Sequence, residues 1–146
     1  MLKDRFKNIL IVDNFDSFTF LIADYFKALN CKTTIVRNNI SPKAALNDFD
    51  LLVLSPGPST PKDSNYLFDY IDIYHSYKPI LGMCLGYQAI MEYFGGELEE
   101  IDPVHGRAEL IYHDKKTIYN GLSSPIKVGR YHSLAVKTIP DEFEVS

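Results

Sequence analysis

Cys84 lies in the stretch of this 146-residue sequence that is best suited to covalent chemistry. It is the central residue of Gly82-Met83-Cys84-Leu85-Gly86, which reads G-x-C-x-G between an apolar run and an amphipathic segment. That pattern is the cysteine form of the nucleophile elbow, a sharp strand-to-helix turn whose backbone lies so close to its neighbours that both flanking positions need glycine. Free N–H groups at a helix N-terminus favour a thiolate, so the pattern predicts an exposed sulfur with a lowered pKa. The pattern alone is equally compatible with a small buried cysteine in a glycine-containing turn.

The second cysteine, Cys31, lies between a predicted helix end and a predicted strand. We expect it to be structural. The two cysteines are far apart, and neither belongs to a C-x-x-C pair of the kind that binds zinc or exchanges disulfides. The sequence therefore predicts no disulfide framework and no metal site.

Short apolar runs alternate with helical patterns in the part of the chain that leads to Cys84. Four runs predict buried strands, over residues 8–12, 33–36, 51–54 and 79–83. Four stretches with helical spacing or capping signals predict helices, over residues 18–29, 42–49, 65–74 and 85–94. This alternation is typical of an α/β fold, and we expect it to be doubly wound with a mainly parallel sheet. Ligands bind at the loops that follow such strands, and the proline-rich 55–61 loop is one of them.

The pattern changes beyond Gly96, where shorter strands are expected. They are predicted over residues 97–101, 108–113, 117–119 and 133–138, with a hairpin turn at 114–116. No repeat, linker or low-complexity segment interrupts the sequence, so we expect one domain over residues 1–146.

The overall composition is that of a compact globular protein, with 46% hydrophobic and 23% charged residues. The formal net charge is -4 and the sequence has no dense Lys/Arg cluster, so no nucleic acid partner is expected. Near the N-terminus only four strong apolar residues precede Asp13, too few for a signal peptide or a membrane span. We therefore expect a cytoplasmic protein with no membrane partner.

Four stretches, taken in order, carry a resemblance to a known family. They are VDNFDSFT at 12–19, LSPGP at 54–58, GMCLGYQ at 82–88 and GRYHSL at 129–134. With them the chain resembles the class I glutamine amidotransferases, in the branch that contains anthranilate synthase component II and the aminodeoxychorismate (para-aminobenzoate) synthase glutaminase. The resemblance covers nearly the whole chain and implies a flavodoxin-like, three-layer α/β fold.

The resemblance implies a thioester mechanism for Cys84. The thiol would attack the side-chain carboxamide of glutamine, form a glutamyl thioester and release ammonia, after which water would free glutamate. The backbone N–H groups of Gly57 and Leu85 would form the oxyanion hole. A glycine between two prolines also suits this role physically, because a substrate can approach a backbone that carries no side chain.

The same resemblance assigns glutamine binding to Gly57, Gln88, Ser133 and Leu134. Gln88 lies one helical turn after the nucleophile, so its amide is expected at the same end of the helix. Judged by its position alone, Gln88 would be a solvated helix residue. Ser133 and Leu134 would, without the resemblance, be the ordinary start of a strand.

By resemblance, the partners are the substrate glutamine and a separate chorismate-binding synthase subunit that receives ammonia within a heteromer. Any magnesium would belong to that synthase, and no metal or organic cofactor is expected in this chain. The sequence leaves open whether the product is anthranilate, for tryptophan biosynthesis, or aminodeoxychorismate, for folate biosynthesis.

The resemblance does not place the catalytic base on any of the four histidines. His132 matches a family position that is not the base, and the His-x-Glu pair of the family lies several tens of residues further on, beyond Ser146. The sequence therefore predicts a domain that is incomplete at the C-terminus and impaired in hydrolysis. Two alternatives stay open: another elbow-cysteine hydrolase of related fold, and a catalytically incomplete module that docks on a partner.

Overall fold

The structure is a computed structural model that describes residues 5–44 and 48–146. It contains two compact units, which divide between Gly95 and Gly96. The division falls at the glycine pair where the sequence predicts the end of a helix. The first unit contains the predicted elbow, and the second contains the strands predicted beyond it.

A four-stranded parallel sheet forms the first unit. Its strands are β1 (Asn8–Asp13), β2 (Lys32–Arg37), β3 (Leu51–Leu54) and β4 (Ile80–Gly82), in the order β2-β1-β3-β4. The α-helices that connect them are α1 (Phe18–Ala28), α2 (Leu67–Tyr74) and α3 (Leu85–Tyr93), with short 3-10 helices at Pro42–Ala44 and Pro61–Asp63. Val12 pairs with Leu54, and Leu54 pairs with Gly82, so the carboxyl ends of three strands are aligned beside the elbow.

Helices cover both faces of this sheet because successive strand residues point to opposite sides. On one face, Leu10 and Val12 pack with residues of α2 and α3. On the other face, Ile9 and Ile11 pack with residues of α1. Continuous apolar strands are thus buried on both sides, which confirms the predicted doubly wound α/β fold.

Asp16, and not the adjacent Ser17, caps the start of α1. Ser17 has helical backbone angles, and its side chain makes no cap hydrogen bond. Asp16 takes that role, because its Oδ1 accepts a hydrogen bond from the Phe18 N–H at 2.8 Å. A carboxylate is a stronger acceptor for a free helix amide than a hydroxyl is, which explains the difference.

The helix α1 has more apolar residues than the sheet can cover. Ile22 and Ala23 are buried. Most of the other apolar residues of α1 line an open groove that also includes Pro56 and Met83.

The helix predicted over residues 42–49 lies only partly within the described residues. Pro42–Ala44 forms a 3-10 helix, with proline at the first helical position, where its fixed φ is favourable. Residues 45–47 lie outside the described part of the chain, and Phe49 is a buried core residue ahead of β3.

One long antiparallel pair forms the second unit. The strand β5 (Glu97–Ile111) pairs with β6 (Ile126–Thr138). The strands predicted over 97–101 and 108–113 are therefore parts of a single strand, whose pairing is irregular between Glu100 and Val104. The strand predicted over 133–138 is the final part of β6.

The strand predicted over residues 117–119 is wrong. Thr117–Tyr119 forms a 3-10 helix within the connection between β5 and β6. The Tyr119 ring stacks on His113 with centroids 4.5 Å apart. This local ring contact stabilises a turn where the β-branched residues alone favour a strand.

Candidate active site

Cys84 occupies the turn between β4 and α3. Its backbone has φ of 50° and ψ of -110°, and it is the N-cap residue of α3. A non-glycine residue with positive φ is strained, and at a nucleophile elbow this conformation presents the side chain to solvent. Cys84 is exposed, so the alternative of a small buried cysteine is wrong. The turn is anchored to the sheet by the Met83 N–H, which donates to the Leu54 carbonyl at 3.0 Å.

Close backbone contacts require the glycines on either side of Cys84. A Cβ at Gly82 would lie 2.6 Å from the Tyr87 amide nitrogen. A Cβ at Gly86 would lie 2.6 Å from the Cβ of Leu54 and 2.7 Å from its carbonyl carbon. Neither position accepts a side chain without movement of the backbone, which confirms the elbow predicted from the G-x-C-x-G pattern.

The Cys84 thiol is less acidic than the pattern predicts. Partial shielding of the sulfur by protein atoms raises the pKa of the thiol above its ordinary value. The Leu85 backbone N–H, which donates to the sulfur, lowers the pKa, and the negative charge of Asp16 raises it further. The prediction of a lowered pKa is wrong because one helix amide does not offset desolvation and a nearby carboxylate.

Asp16 is a site residue that sequence reasoning missed. It lies in the loop between β1 and α1, where its N–H donates to Asp13 Oδ1 at 3.2 Å. Its own Oδ1 holds the first amide of α1. The signal was available in the sequence, because a polar turn follows β1 at the sheet edge where ligand-binding loops gather.

Gly57 lies against the loop after β1 and the start of α3. A Cβ at this position would lie 2.5 Å from the Cβ of Asn14 and 2.6 Å from Cδ2 of Leu85. The structure therefore brings Gly57 and Leu85 together next to the elbow. Their role as oxyanion donors stays a prediction.

A chain of side-chain amides, buried at Asn14 and Asn38, holds the loops around Gly57. Asn14 donates from its backbone N–H to Ser55 Oγ at 2.9 Å and from Nδ2 to the Ser55 carbonyl at 2.7 Å. Asn38 donates from Nδ2 to Asn14 Oδ1 at 2.9 Å, and Asn65 donates from Nδ2 to Asn38 Oδ1 at 2.9 Å. These bonds connect the loops after β1, β2 and β3. Hydrogen-bonded networks of this kind favour a single arrangement of the backbone.

Gln88 lies on α3, one turn after Cys84. Its backbone N–H donates to the Cys84 carbonyl at 2.9 Å. The residue is 6% exposed, so the alternative of a solvated helix residue is wrong. Its role in glutamine binding stays a prediction.

Ser133 and Leu134 lie on β6, in the second unit. Successive strand residues point to opposite faces, and here Ser133 is exposed while Leu134 is half-buried. Leu134 pairs with Glu100 of β5. Their expected contact with glutamine also stays a prediction.

Residues 10–146 match the family described as glutamine amidotransferase class-I. The matched range includes the elbow, the Gly57 loop and the segment with Ser133 and Leu134. The chain belongs to the class I glutamine amidotransferase family. This membership confirms the resemblance inferred from the four motifs.

Several relatives of this amidotransferase share most of its length. The anthranilate synthase component 2 of Haemophilus influenzae is 41% identical over 145 residues, which are 95% of this chain and 75% of that protein. The anthranilate synthase component 2 of Methanocaldococcus jannaschii is 39% identical over 145 residues, 96% of this chain and 71% of that protein. A solved structure from Thermoplasma acidophilum, described as that of a GMP synthase subunit, has a TM-score of 0.81 at 30% identity, over 93% of this chain and 69% of that one. These similarities support the fold and the family together.

The first unit of this amidotransferase contains a single histidine, His75. Its ring packs against the rings of Tyr93 and Phe94, with centroids 5.6 and 5.4 Å apart. Those rings lie at the C-terminal end of α3, whereas Cys84 precedes its N-terminus. The nine residues of α3 separate its two ends by about 13 Å. His75 is therefore not the base that serves Cys84.

The chemistry open to the site follows from the thiol and the backbone around it. Within residues 5–44 and 48–146, no three His, Cys, Asp or Glu side chains form a group that could hold a metal ion. No helix in the same ranges is long and apolar enough to cross a membrane. What the site does offer is a solvent-facing thiol on a strained turn at the N-terminus of α3, which suits acyl transfer through a thioester.

Proposed function

We propose that this amidotransferase hydrolyses glutamine to glutamate and ammonia and supplies the ammonia to a chorismate-using synthase subunit. The observation that carries the proposal is the elbow, in which Cys84 has a φ of 50° and is exposed at the N-terminus of α3. Strain held by the surrounding structure is common at reactive residues. The relatives named anthranilate synthase component 2 support the choice of glutamine as substrate.

The proposed reaction proceeds in two steps. Once deprotonated, Cys84 attacks the carboxamide carbon of glutamine, and the carbonyl oxygen becomes an oxyanion held by the N–H groups of Leu85 and Gly57. Collapse of this intermediate breaks the C–N bond, and the departing nitrogen leaves as ammonia after taking up, through solvent, the proton that the Cys84 thiol has lost. Water then attacks the glutamyl thioester, which releases glutamate and restores the thiol.

Glutamine binding is proposed for Gly57, Gln88, Ser133 and Leu134. The proposed role of Gln88 is supported by its position one helical turn from the nucleophile, where its backbone N–H donates to the Cys84 carbonyl. Gly57 is supported by its lack of a side chain in a tightly packed loop. The proposed binding roles of Ser133 and Leu134 are supported only by the family motif in which these residues occur.

The partner proposed for this subunit is a separate chorismate-binding synthase in a cytoplasmic heteromer. The name of the relatives, component 2, implies a second component in those proteins. Either an anthranilate synthase or an aminodeoxychorismate synthase fits, since the product depends on the synthase. No cofactor is assigned to this chain.

Labelling with an electrophilic glutamine analogue, such as a diazo-ketone, tests this proposal. We expect one adduct per chain, located on Cys84 by peptide mapping, with a rate that saturates with reagent and is suppressed by glutamine. The Cys31→Ser variant serves as the matched control and should label like the wild type. Labelling that is unaffected by glutamine, or is suppressed equally by γ-glutamyl peptides, would favour another elbow-cysteine hydrolase instead.

A further inference from the structure

The imidazole of His132 contacts two groups of its own strand, β6. They are the side chain of Arg130 and the backbone carbonyl of Leu134. Its Nδ1 lies 3.0 Å from the Leu134 carbonyl oxygen. Its Nε2 lies 3.0 Å from Nε of Arg130, which donates to it. The side chains at positions 130 and 132 share one face of the strand, which places Arg130 next to His132.

The Arg130 contact decides which ring nitrogen of His132 carries the proton. A guanidinium only donates hydrogen bonds, so Nε2 must accept with its lone pair. The proton then resides on Nδ1, which donates to the Leu134 carbonyl. The ring is held in the Nδ1–H tautomer by its two neighbours, one on each nitrogen.

Glu109 of β5 holds Arg130 in place. Its Oε2 accepts from Nη1 of Arg130 at 2.6 Å, and its Oε1 lies 3.4 Å from Nε of Arg107. The hydrogen bond from Arg130 lowers the pKa of the Glu109 carboxyl, so the acceptor stays ionised at neutral pH. Strand pairing places Glu109 opposite Val128, two residues before Arg130 on the same face. The four groups form a continuous series, Glu109 to Arg130 to His132 to the Leu134 backbone.

We propose that His132 is a positioning residue that fixes the backbone of the Ser133-Leu134 segment, and that Arg130 and Glu109 set its tautomer for that task. The bond from His132 to the Leu134 carbonyl spans Ser133 and restricts the backbone angles between the two residues. The inference rests on the proposed function, in which this segment binds glutamine. Preorganising a binding segment improves affinity because less freedom is lost when the ligand arrives.

Three variants separate positioning from a general structural role. His132→Ala removes the donor, whereas His132→Asn places an amide N–H close to where Nδ1 lies and should restore the bond. His113→Ala is the matched control, since His113 is a histidine of the same unit that hydrogen-bonds to the Ser123 carbonyl instead.

The readouts are the labelling kinetics of Cys84 and the ring ¹⁵N shifts of His132. With the diazo-ketone glutamine analogue, we expect His132→Ala to raise the half-saturating concentration on the order of tenfold. The maximal rate, and the rate with iodoacetamide, should not change. His132→Asn and His113→Ala should both label like the wild type. In the wild type, the ¹⁵N shifts should show the Nδ1–H tautomer.

The possible outcomes distinguish this inference from the proposed function. If wild-type labelling is saturable and suppressed by glutamine but His132→Ala has the same half-saturating concentration, the positioning role is overturned and the proposed function stands. An Nε2–H tautomer in the wild type also overturns it. If glutamine does not suppress wild-type labelling, the proposed function fails and the role of His132 fails with it.

Discussion

At the scale of single residues, Cys84 is exposed by its backbone but kept protonated by its surroundings. Desolvation is the largest influence and raises the pKa of the thiol, the Leu85 amide lowers it, and Asp16 raises it again. A thiol with a raised pKa is a weak nucleophile at neutral pH, because only the thiolate attacks. Attack by Cys84 therefore requires loss of the thiol proton, which His75 is too far away to accept directly.

The Asp16→Asn variant tests this electrostatic description. Asparagine retains an oxygen that can accept from the Phe18 N–H but lacks the negative charge. Removal of a charge that raises the pKa of Cys84 lowers that pKa, so the thiolate fraction increases at any pH below it. We expect faster alkylation of Cys84 by iodoacetamide at pH 7 to 8 than in the wild type, with the two rates converging at high pH.

Asp24→Asn, at an exposed position of α1 that pairs with Lys27, is the control and should leave the rate unchanged. Equal rates for Asp16→Asn and the wild type would contradict the role given to Asp16.

At the scale of elements, the elbow depends on the contact between α3 and β3. Gly86 allows the first turn of α3 to lie directly on the backbone of Leu54, with no room for a Cβ. Because Leu54 also accepts the Met83 N–H, the same residue of β3 holds the turn on both sides of Cys84. The reactive conformation is thus a property of two packed elements.

The Gly86→Ala variant should separate α3 from β3. Since the contact would be with backbone, relief requires a shift of the helix, and we expect a loss of about 2–3 kcal/mol in the free energy of unfolding. Labelling of Cys84 by the glutamine analogue should fall as well. Denaturant unfolding of Gly86→Ala should be compared with Gly129→Ala, whose Cβ would meet only an ordinary contact at 3.5 Å from Tyr131. A variant as stable as the wild type would show that the tight approach of α3 to β3 is not needed.

The positions of the strands and of the elbow could be predicted from the sequence, while several details of the site could not. Apolar runs buried on both faces and a nucleophile between two glycines are local signals. The hydrogen bonds of Asn14 with Asn38 and Ser55 join residues 24 and 41 positions apart, and no local pattern reports such pairs. The raised pKa of Cys84 has the same origin, because it depends first on desolvation by the folded chain and also on the charge of Asp16 in another loop. The Thr117–Tyr119 segment was mispredicted because a ring contact outweighed strand propensity.

At the scale of the whole molecule, the family match runs through both compact units. Cys84, Gly57, Leu85 and Gln88 belong to the first unit, and the proposed substrate-binding segment on β6 belongs to the second. Glutamine must be both bound and attacked before a covalent intermediate can form, so detection of that intermediate tests both steps of the proposed reaction.

The most direct test is intact-mass analysis after the protein is mixed with glutamine and quenched in acid, which preserves thioesters. We expect a transient mass increase of one glutamyl group, removed by hydroxylamine, mapped to Cys84 and absent from Cys84→Ala. Free ammonia should appear in the same amount as the adduct in the first turnover. Ammonia release from glutamine that persists in Cys84→Ala, or an adduct on Cys31, would contradict the assignment of Cys84 as the nucleophile.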